Sequence, residues 1–140
     1  MSRYLLDTAP LAAYLFSRRG AMARIGPWLR RREVVTSILC YGEVVEYLHS
    51  HADFAQRRRE LRELLIEIPP SLLDYGMLER YADIRRALRP PHGSGVIGDM
   101  DTLIAATALE RNLTLVTSDQ HFQRVQGLTV MLIDRQELRQ

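Results

Sequence analysis

Short apolar segments alternate with longer helical stretches along this chain, and this alternation constrains the fold more than any other feature. Between the short segments, apolar residues recur at helical spacing, as in Leu11, Tyr14 and Leu15. Strands that alternate with helices predict an α/β sandwich of three layers, with a central, mostly parallel sheet flanked by helices. The predicted strands are Arg3–Leu6, Val34–Thr36, Leu113–Thr117 and Leu128–Ile133, with an edge candidate at Ile66–Pro69 whose prolines limit its pairing.

Capping and breaking residues delimit the predicted helices. Ser37 is expected to cap one helix, and Asn112 is expected to end another in the left-handed conformation. The segment Pro90–Gly95 is the one clear loop. The predicted helices begin near Pro10 and continue as Ala21–Arg31, Ile38–His49, Ala52–Glu67, Leu72–Leu88, Asp101–Arg111 and His121–Val125.

Length and composition exclude several classes of protein. A chain of 140 residues fits one domain, spanning residues 1–140, and buries enough surface to fold without disulfides. Cys40 is the only cysteine, which excludes a disulfide framework and a cysteine-based zinc site. No apolar run approaches the ~20 residues of a membrane span, and no secretory pattern is visible, so we expect a cytoplasmic protein without membrane contact.

The basic residues are all arginine. The formal net charge is only +2, yet nineteen arginines and no lysine occur, and many of them cluster. Arginine suits bidentate contacts with phosphate, so a nucleic-acid partner fits; genome composition and solvated helix faces explain the same pattern. The clusters are Arg18–Arg19, Arg30–Arg32, Arg57–Arg59 with Arg62, and Arg85–Arg86 with Arg89.

Four acidic residues lie where apolar segments stop or turn: Asp7, Glu43, Asp101 and Asp119. Ligands of an open parallel sheet bind beyond the carboxyl ends of its strands, and Asp7, Glu43 and Asp119 follow predicted strands. If the four acids converge, their mutual repulsion requires a divalent cation. Taken singly, Asp99, Asp101 and Asp119 fit helix caps better than metal ligands.

The segments that carry these acids resemble the PIN-domain nucleases, and within them the VapC-type toxins of bacterial toxin–antitoxin pairs. Tyr4–Thr8 is similar to the opening strand with its first acid, and Ser37–Glu43 to the segment with the second. Asp101–Leu109 is similar to the most specific stretch, an Asp followed by two residues and Ile-Ala-Ala, and Leu115–Phe122 to the closing motif. The resemblance covers the whole chain in order.

The resemblance implies a PIN-like fold and an Mg²⁺-dependent endoribonuclease, in which Mn²⁺ can substitute. Asp7, Glu43, Asp101 and Asp119 would be the catalytic residues, with Asp7, Asp101 and Asp119 as metal ligands. Asp99 is a further candidate ligand, although the Ile-Ala-Ala spacing favours Asp101. A metal-activated water would hydrolyse RNA to leave a 5′-phosphate and a 3′-hydroxyl. The family also implies a VapB-type antitoxin and a homodimer.

Some alternatives stay open at this point. The chain could be a catalytically silent PIN-like module that binds RNA or protein, or a metal-dependent nuclease acting on DNA. The hydroxyls of Thr8, Thr117 and Ser118 either orient a carboxylate or the attacking water, or make local turn bonds. Cys40 stands where the family often has a hydroxyl residue. Phe16, Trp28 and Leu29 are either core or an apolar docking surface, and the four histidines show no metal-binding spacing.

Overall fold

The computed structural model describes residues 1–140 and forms a five-stranded sheet covered by seven α-helices. All four strand pairings are parallel, so the sheet is wholly rather than mostly parallel. The predicted α/β architecture is therefore confirmed. The strands are Tyr4–Leu6 (β1), Val34–Ser37 (β2), Pro70–Ser71 (β3), Thr114–Thr117 (β4) and Val130–Leu132 (β5).

Helices connect every pair of successive strands except β4 and β5, which a 3₁₀ segment at Gln120–Arg124 links. Ser37 accepts a hydrogen bond from the Leu39 N–H and caps its helix as predicted. Asn112 takes a positive φ of 55° directly after a helix, also as predicted. The helices are Thr8–Leu15 (α1), Arg19–Arg30 (α2), Ile38–Leu48 (α3), Phe54–Glu67 (α4), Tyr75–Leu88 (α5), Asp99–Glu110 (α6) and Arg135–Arg139 (α7).

Several predicted bounds were wrong, and one helix was not predicted. The edge strand is not Ile66–Pro69, because α4 continues to Glu67 and β3 is the dipeptide that follows. Helix α6 begins at Asp99 rather than Asp101, since Gly98 occupies the N-cap position. Helix α7 was not predicted; the Asp134 side chain caps it by accepting a bond from the Gln136 N–H.

The strand order is β3-β2-β1-β4-β5, which places β1 at the centre. The chain leaves β1 towards one side of the sheet and later returns to form β4 on the other side. The carboxyl ends of β1 and β4 therefore flank the point where the strand order reverses, which is where parallel sheets open a crevice for ligands.

A single cluster of 29 buried residues fills the space between the sheet and the helices, and it includes Leu5, Leu6, Leu115 and Val116 of the central strands. Trp28 belongs to this core and stacks on Tyr4, with ring centroids 4.0 Å apart. Leu29 and Phe16 are partly buried against it. Of the two interpretations of these residues, core packing is therefore correct for Trp28. None of the helices combines the length and apolar character needed to cross a lipid bilayer.

Candidate metal centre

The four acids predicted from the sequence line one cavity of about 450 Å³ at the carboxyl edge of the sheet. Asp7 follows β1, Asp119 follows β4, and Glu43 lies on the second turn of α3. Asp101 reaches the same edge because α6 runs antiparallel to the strand that it feeds, so its first turn lies where the strands end. The direction of α6 thus explains the position of the acid that the sequence alone could not place.

Asp7 is the most buried of the four, with 8% of its surface exposed. It occupies the N-cap position of α1, yet its side chain makes no capping bond. Instead, its Oδ2 accepts a hydrogen bond of 2.7 Å from the Thr117 hydroxyl at the end of the neighbouring strand. Burial raises the pKa of Asp7 to about 6, and the negative charges of Asp101 and Glu43 add to the rise.

Threonine hydroxyls also contact Glu43 and the backbone of Asp119. The Thr8 hydroxyl donates a bond of 2.5 Å to Oε1 of Glu43, which ties the start of α1 to α3. The Thr117 hydroxyl, which bonds to Asp7, also accepts a bond of 3.0 Å from the Asp119 N–H. Ser118 lines the cavity, and its hydroxyl makes no hydrogen bond within the chain. Thr8 and Thr117 therefore orient carboxylates directly.

Asp119 and Asp101 differ in their local roles. Asp119 caps the 3₁₀ segment by accepting a bond of 2.8 Å from the His121 N–H, and the His121 Nδ1 lies 3.2 Å from the same oxygen. Asp101 caps nothing, since Gly98 is the N-cap residue of α6. Partial burial raises the pKa of Asp101, and the charges of Asp119 and Glu43 raise it further.

Asp99 points away from this cluster. Its Oδ1 accepts bonds of 2.6 Å from Arg85 and 3.1 Å from the Tyr81 hydroxyl, both on α5. Its side chain is 70% exposed and does not line the cavity. We therefore omit Asp99 from the set of residues that could hold a metal.

The cluster lacks a cationic partner from the chain. None of the nine ion pairs involves Asp7, Glu43 or Asp101, and the only partner of Asp119 is His121. Buried carboxylates without partners are costly, so such a site favours either protonation or a bound cation. Carboxylate oxygens are the ligands that Mg²⁺ and Mn²⁺ prefer, so the residues present fit such an ion.

Cys40 is fully buried and lies close to Asp7 and Glu43. One ligand atom each from Asp7, Cys40 and Glu43 falls within a mutual distance of 4.8 Å, which makes these three the tightest group of potential ligands. Burial, aided by the nearby Asp7 charge, raises the pKa of the Cys40 thiol to about 12. Mg²⁺ and Mn²⁺ prefer carboxylate oxygens to sulfur, so we assign the metal-binding role to the carboxylates.

The sequence analysis did not assign to the site three residues that line the cavity: Phe16, Arg18 and Tyr47. It named Phe16 only as core or docking surface, and Arg18 only within an arginine cluster. One signal for Tyr47 was available, because it follows Glu43 by four residues and so shares its helix face. His121, which showed no metal-binding spacing, proves to contact Asp119.

Residues 4–128 match the family model described as "PIN domain". The chain belongs to the PIN-domain family. The match confirms the family that the acidic motifs predicted. No curated protein sequence matches the chain significantly.

Several solved structures share this fold. A chain in the DNA-bound VapBC complex of Salmonella typhimurium superposes with a TM-score of 0.82 at 17% identity, covering 94% of this PIN domain protein and 98% of that chain. VapBC2 of Rickettsia felis, bound to a promoter DNA fragment, gives 0.81 at 20%, with the same coverages. VapBC-5 of Mycobacterium tuberculosis gives 0.67 at 20%, covering 96% and 99%. At these identities the likeness establishes the shared fold.

Proposed function

We propose that this chain is an Mg²⁺-dependent endoribonuclease and the toxin of a VapBC-type toxin–antitoxin pair. The observation that carries the proposal is the convergence of Asp7, Glu43, Asp101 and Asp119 on one cavity without an arginine partner. Membership of the PIN-domain family supports nuclease chemistry, and the toxin–antitoxin assignment rests on the similar VapBC complexes.

In this proposal Asp7, Asp101 and Asp119 hold the ion, and Glu43 completes the cluster directly or through water. A bound Mg²⁺ or Mn²⁺ supplies an acidified water and offsets charge on the leaving oxygen. Thr117 fixes the rotamer of Asp7, and Thr8 fixes that of Glu43, so both carboxylates are oriented before an ion arrives. Ser118 lines the cavity, and in this proposal its hydroxyl bonds to the attacking water.

The expected products are a 5′-phosphate and a 3′-hydroxyl, because water rather than the RNA's own 2′-hydroxyl attacks phosphorus. A 2′,3′-cyclic phosphate among the products would contradict this part of the proposal. We further propose that residues 1–140 act as one PIN domain in the cytoplasm. Strand β5 and helix α7 lie beyond the matched residues, yet β5 pairs with β4, and Glu137 of α7 forms an ion pair with Arg24 of α2.

A VapB-type antitoxin and a homodimer complete the proposal. Apolar side chains that remain exposed near the start of α5 support an interface between protomers; they are Leu72, Leu73, Tyr75 and Leu78. A purified protein that stays monomeric by light scattering at tens of micromolar would overturn the homodimer and leave the nuclease untouched.

The decisive experiment is a cleavage assay on total RNA and on single- and double-stranded DNA, with Mg²⁺, with Mn²⁺ and with EDTA. We expect metal-dependent cleavage of RNA alone, absent from Asp7→Asn. Cleavage of DNA would favour a DNA-directed nuclease. Absence of cleavage on every substrate, in a protein that still binds RNA or a protein partner, would favour a catalytically silent module.

A further inference from the structure

Part of the cavity lining differs in chemistry from the acidic part. Besides the carboxylates, the same cavity is lined by Phe16, Tyr47 and Arg18, together with Ala12 and Ala13. A volume of about 450 Å³ exceeds what one hydrated ion fills and lies within the ~300–1,000 Å³ of sites that take small organic groups. The cavity therefore has room for part of a substrate beside the acids.

Tyr47 is held in place while much of its ring stays in solvent. Its ring lies 6.1 Å from Phe16 at an interplanar angle of 76°, and 4.9 Å from His51 at 65°. Neither contact is a parallel stack, and 48% of the residue is exposed. The phenol hydroxyl makes no hydrogen bond within the chain, and neither neighbouring ring lies parallel to the Tyr47 ring.

Phe16 is itself contacted by an arginine of α4. The Arg57 guanidinium lies 4.4 Å from the centroid of the Phe16 ring, and Arg57 is itself held by Asp53 at 3.1 Å and Glu60 at 3.3 Å. Phe16 in turn supports Tyr47 and His51. This arrangement orders Tyr47 before any ligand binds, which lowers the entropy lost on binding.

Arg18 supplies a positive charge at the cavity wall. It is exposed and belongs to none of the ion pairs, unlike Arg57 or Arg85. An unpaired guanidinium suits a phosphate, and an exposed aromatic ring suits a nucleobase. Both lie in one cavity with the carboxylates, so a nucleotide next to the cleaved bond would meet a base contact and a phosphate contact together.

We propose that Tyr47 stacks on the base of an unpaired nucleotide flanking the cleaved phosphodiester, and that Arg18 contacts the phosphate of that nucleotide. The inference rests on the proposed ribonuclease function and narrows its substrate to single-stranded RNA segments. It makes Tyr47 a positioning residue rather than a catalytic one.

The test is a double-mutant cycle between protein and RNA. A fluorescent single-stranded oligoribonucleotide is scanned with abasic sites, and binding is measured by anisotropy in a cleavage-blocked Asp101→Asn background. We expect Tyr47→Ala to weaken binding of the intact RNA by about 5- to 150-fold. An abasic site at one position of the RNA should weaken its binding to the protein that retains Tyr47 by a similar factor. The same abasic site should cause no further loss of binding in Tyr47→Ala.

Matched variants separate stacking from folding. Tyr47→Trp should retain binding and Tyr47→Leu should lose it, because leucine keeps an apolar group without a π face. Ile66→Ala removes an 81% exposed apolar side chain that does not line the cavity, and it should leave RNA affinity unchanged. Arg18→Gln should lower the slope of log affinity against log salt by about 0.7, as expected for one contact with single-stranded phosphate.

Equal losses for intact and abasic RNA at every position would overturn the stacking role. So would a Tyr47→Ala variant that binds RNA normally but loses a VapB-type antitoxin, since the surface would then be a protein-docking surface. Wild-type cleavage of RNA with no effect of Tyr47→Ala would overturn this inference alone. RNA binding that depends on Tyr47 without any cleavage would overturn the nuclease and keep the base contact.

Discussion

The acidic cavity and the α5–α6 surface contain similar numbers of carboxylates but satisfy them differently. On the α5–α6 surface, three acids each face an arginine: Asp99 faces Arg85, Glu110 faces Arg80, and Asp74 faces Arg111. In the cavity, Asp7, Glu43 and Asp101 face one another and accept bonds from threonine hydroxyls at most. Arginines of the chain therefore pair with these acids of the α5–α6 surface, whereas no arginine pairs with the acids of the cavity.

Asp99 and Asp101 show the contrast within one helical turn. Residues that are two positions apart on an α-helix are rotated by about 200° about its axis. Asp99 and Asp101 therefore point to opposite sides of α6. Asp99 therefore meets α5 and its arginine, while Asp101 meets the carboxylates at the sheet edge. The paired acids of the α5–α6 surface receive their positive charge from arginines of the chain. The unpaired acids of the cavity are suited to bind a cation from solution.

The largest effect is expected on the rate of RNA cleavage, and it should differ between variants of Asp101 and Asp99. Asp101→Asn should reduce metal-dependent RNA cleavage by more than about 100-fold, because it removes a carboxylate from the proposed metal site. Asp99→Asn, its matched control, should change the rate by less than about threefold. The measurement is the initial rate on a single RNA substrate in Mg²⁺. Equal losses in the two variants would remove the distinction between paired and unpaired acids.

Asp7→Asn should abolish activity yet stabilise the metal-free protein. A folded-state pKa of about 6, against an ordinary value of 3.8, means that the folded form binds the proton more tightly than the unfolded chain. The stability contributed by protonated Asp7 is present below about pH 4 and is lost as pH rises through about 6. At neutral pH in EDTA, we expect Asp7→Asn to raise the free energy of unfolding by about 2–3 kcal/mol.

Urea denaturation across this pH range measures the effect. The wild-type curve should fall between about pH 4 and pH 6, and the Asp7→Asn curve should be flatter there. A variant that is less stable than wild type at neutral pH without metal would show that the Asp7 charge is already compensated within the chain.

Thr117→Val should weaken Mg²⁺ or Mn²⁺ binding by about 10- to 100-fold, because the variant loses the hydroxyl that orients Asp7 and receives the Asp119 N–H. The control is Thr107→Val, which removes a buried hydroxyl of α6 that bonds to the Leu103 carbonyl, outside the cavity. Calorimetric titration with Mn²⁺ compares the two. An equal effect of both variants would reduce the role of Thr117 to general packing.

The smallest effect is expected on the α5–α6 surface, where three acids each face an arginine. Arg85→Gln breaks a partly exposed ion pair with Asp99, and it should change the free energy of unfolding by less than about 1 kcal/mol, with no change in metal affinity. Denaturant melts at low and high salt check this. A large loss of Mn²⁺ affinity would show that the Asp99–Arg85 pair supports the metal site after all.

Local sequence signals were enough for the elements that build the sheet edge. The apolar runs before Asp7 and Asp119 and the Ser37 cap predicted β1, β4 and the start of α3, and all three form. Strand β3 carries no such signal, because it has only two residues. It forms through its pairing with β2, at the edge of the sheet. Helix α7 was missed because a five-residue helix depends on packing against α2 more than on propensity.

The site was predictable in part for the same reason. Acids that follow strands reach the carboxyl edge in any parallel sheet, which accounts for Asp7, Glu43 and Asp119. The position of Asp101 followed only from the family resemblance, because no local pattern encodes the direction of α6 or the strand order. The Ile-Ala-Ala spacing already favoured Asp101 over Asp99, and the contact of Asp99 with Arg85 of another helix supplies the physical reason. The contact between Phe16 and Tyr47 depends on the packing of α1 against α3.

Direct titration of the metal-free protein with Mn²⁺ tests the central claim, that the unpaired carboxylates form a cation site. We predict saturable binding to wild type and to Asp99→Asn with the same affinity, and no binding to the Asp7→Asn/Asp101→Asn double variant. Binding of Mn²⁺ to the double variant as tight as to wild type, or no binding to any of them, would contradict the claim.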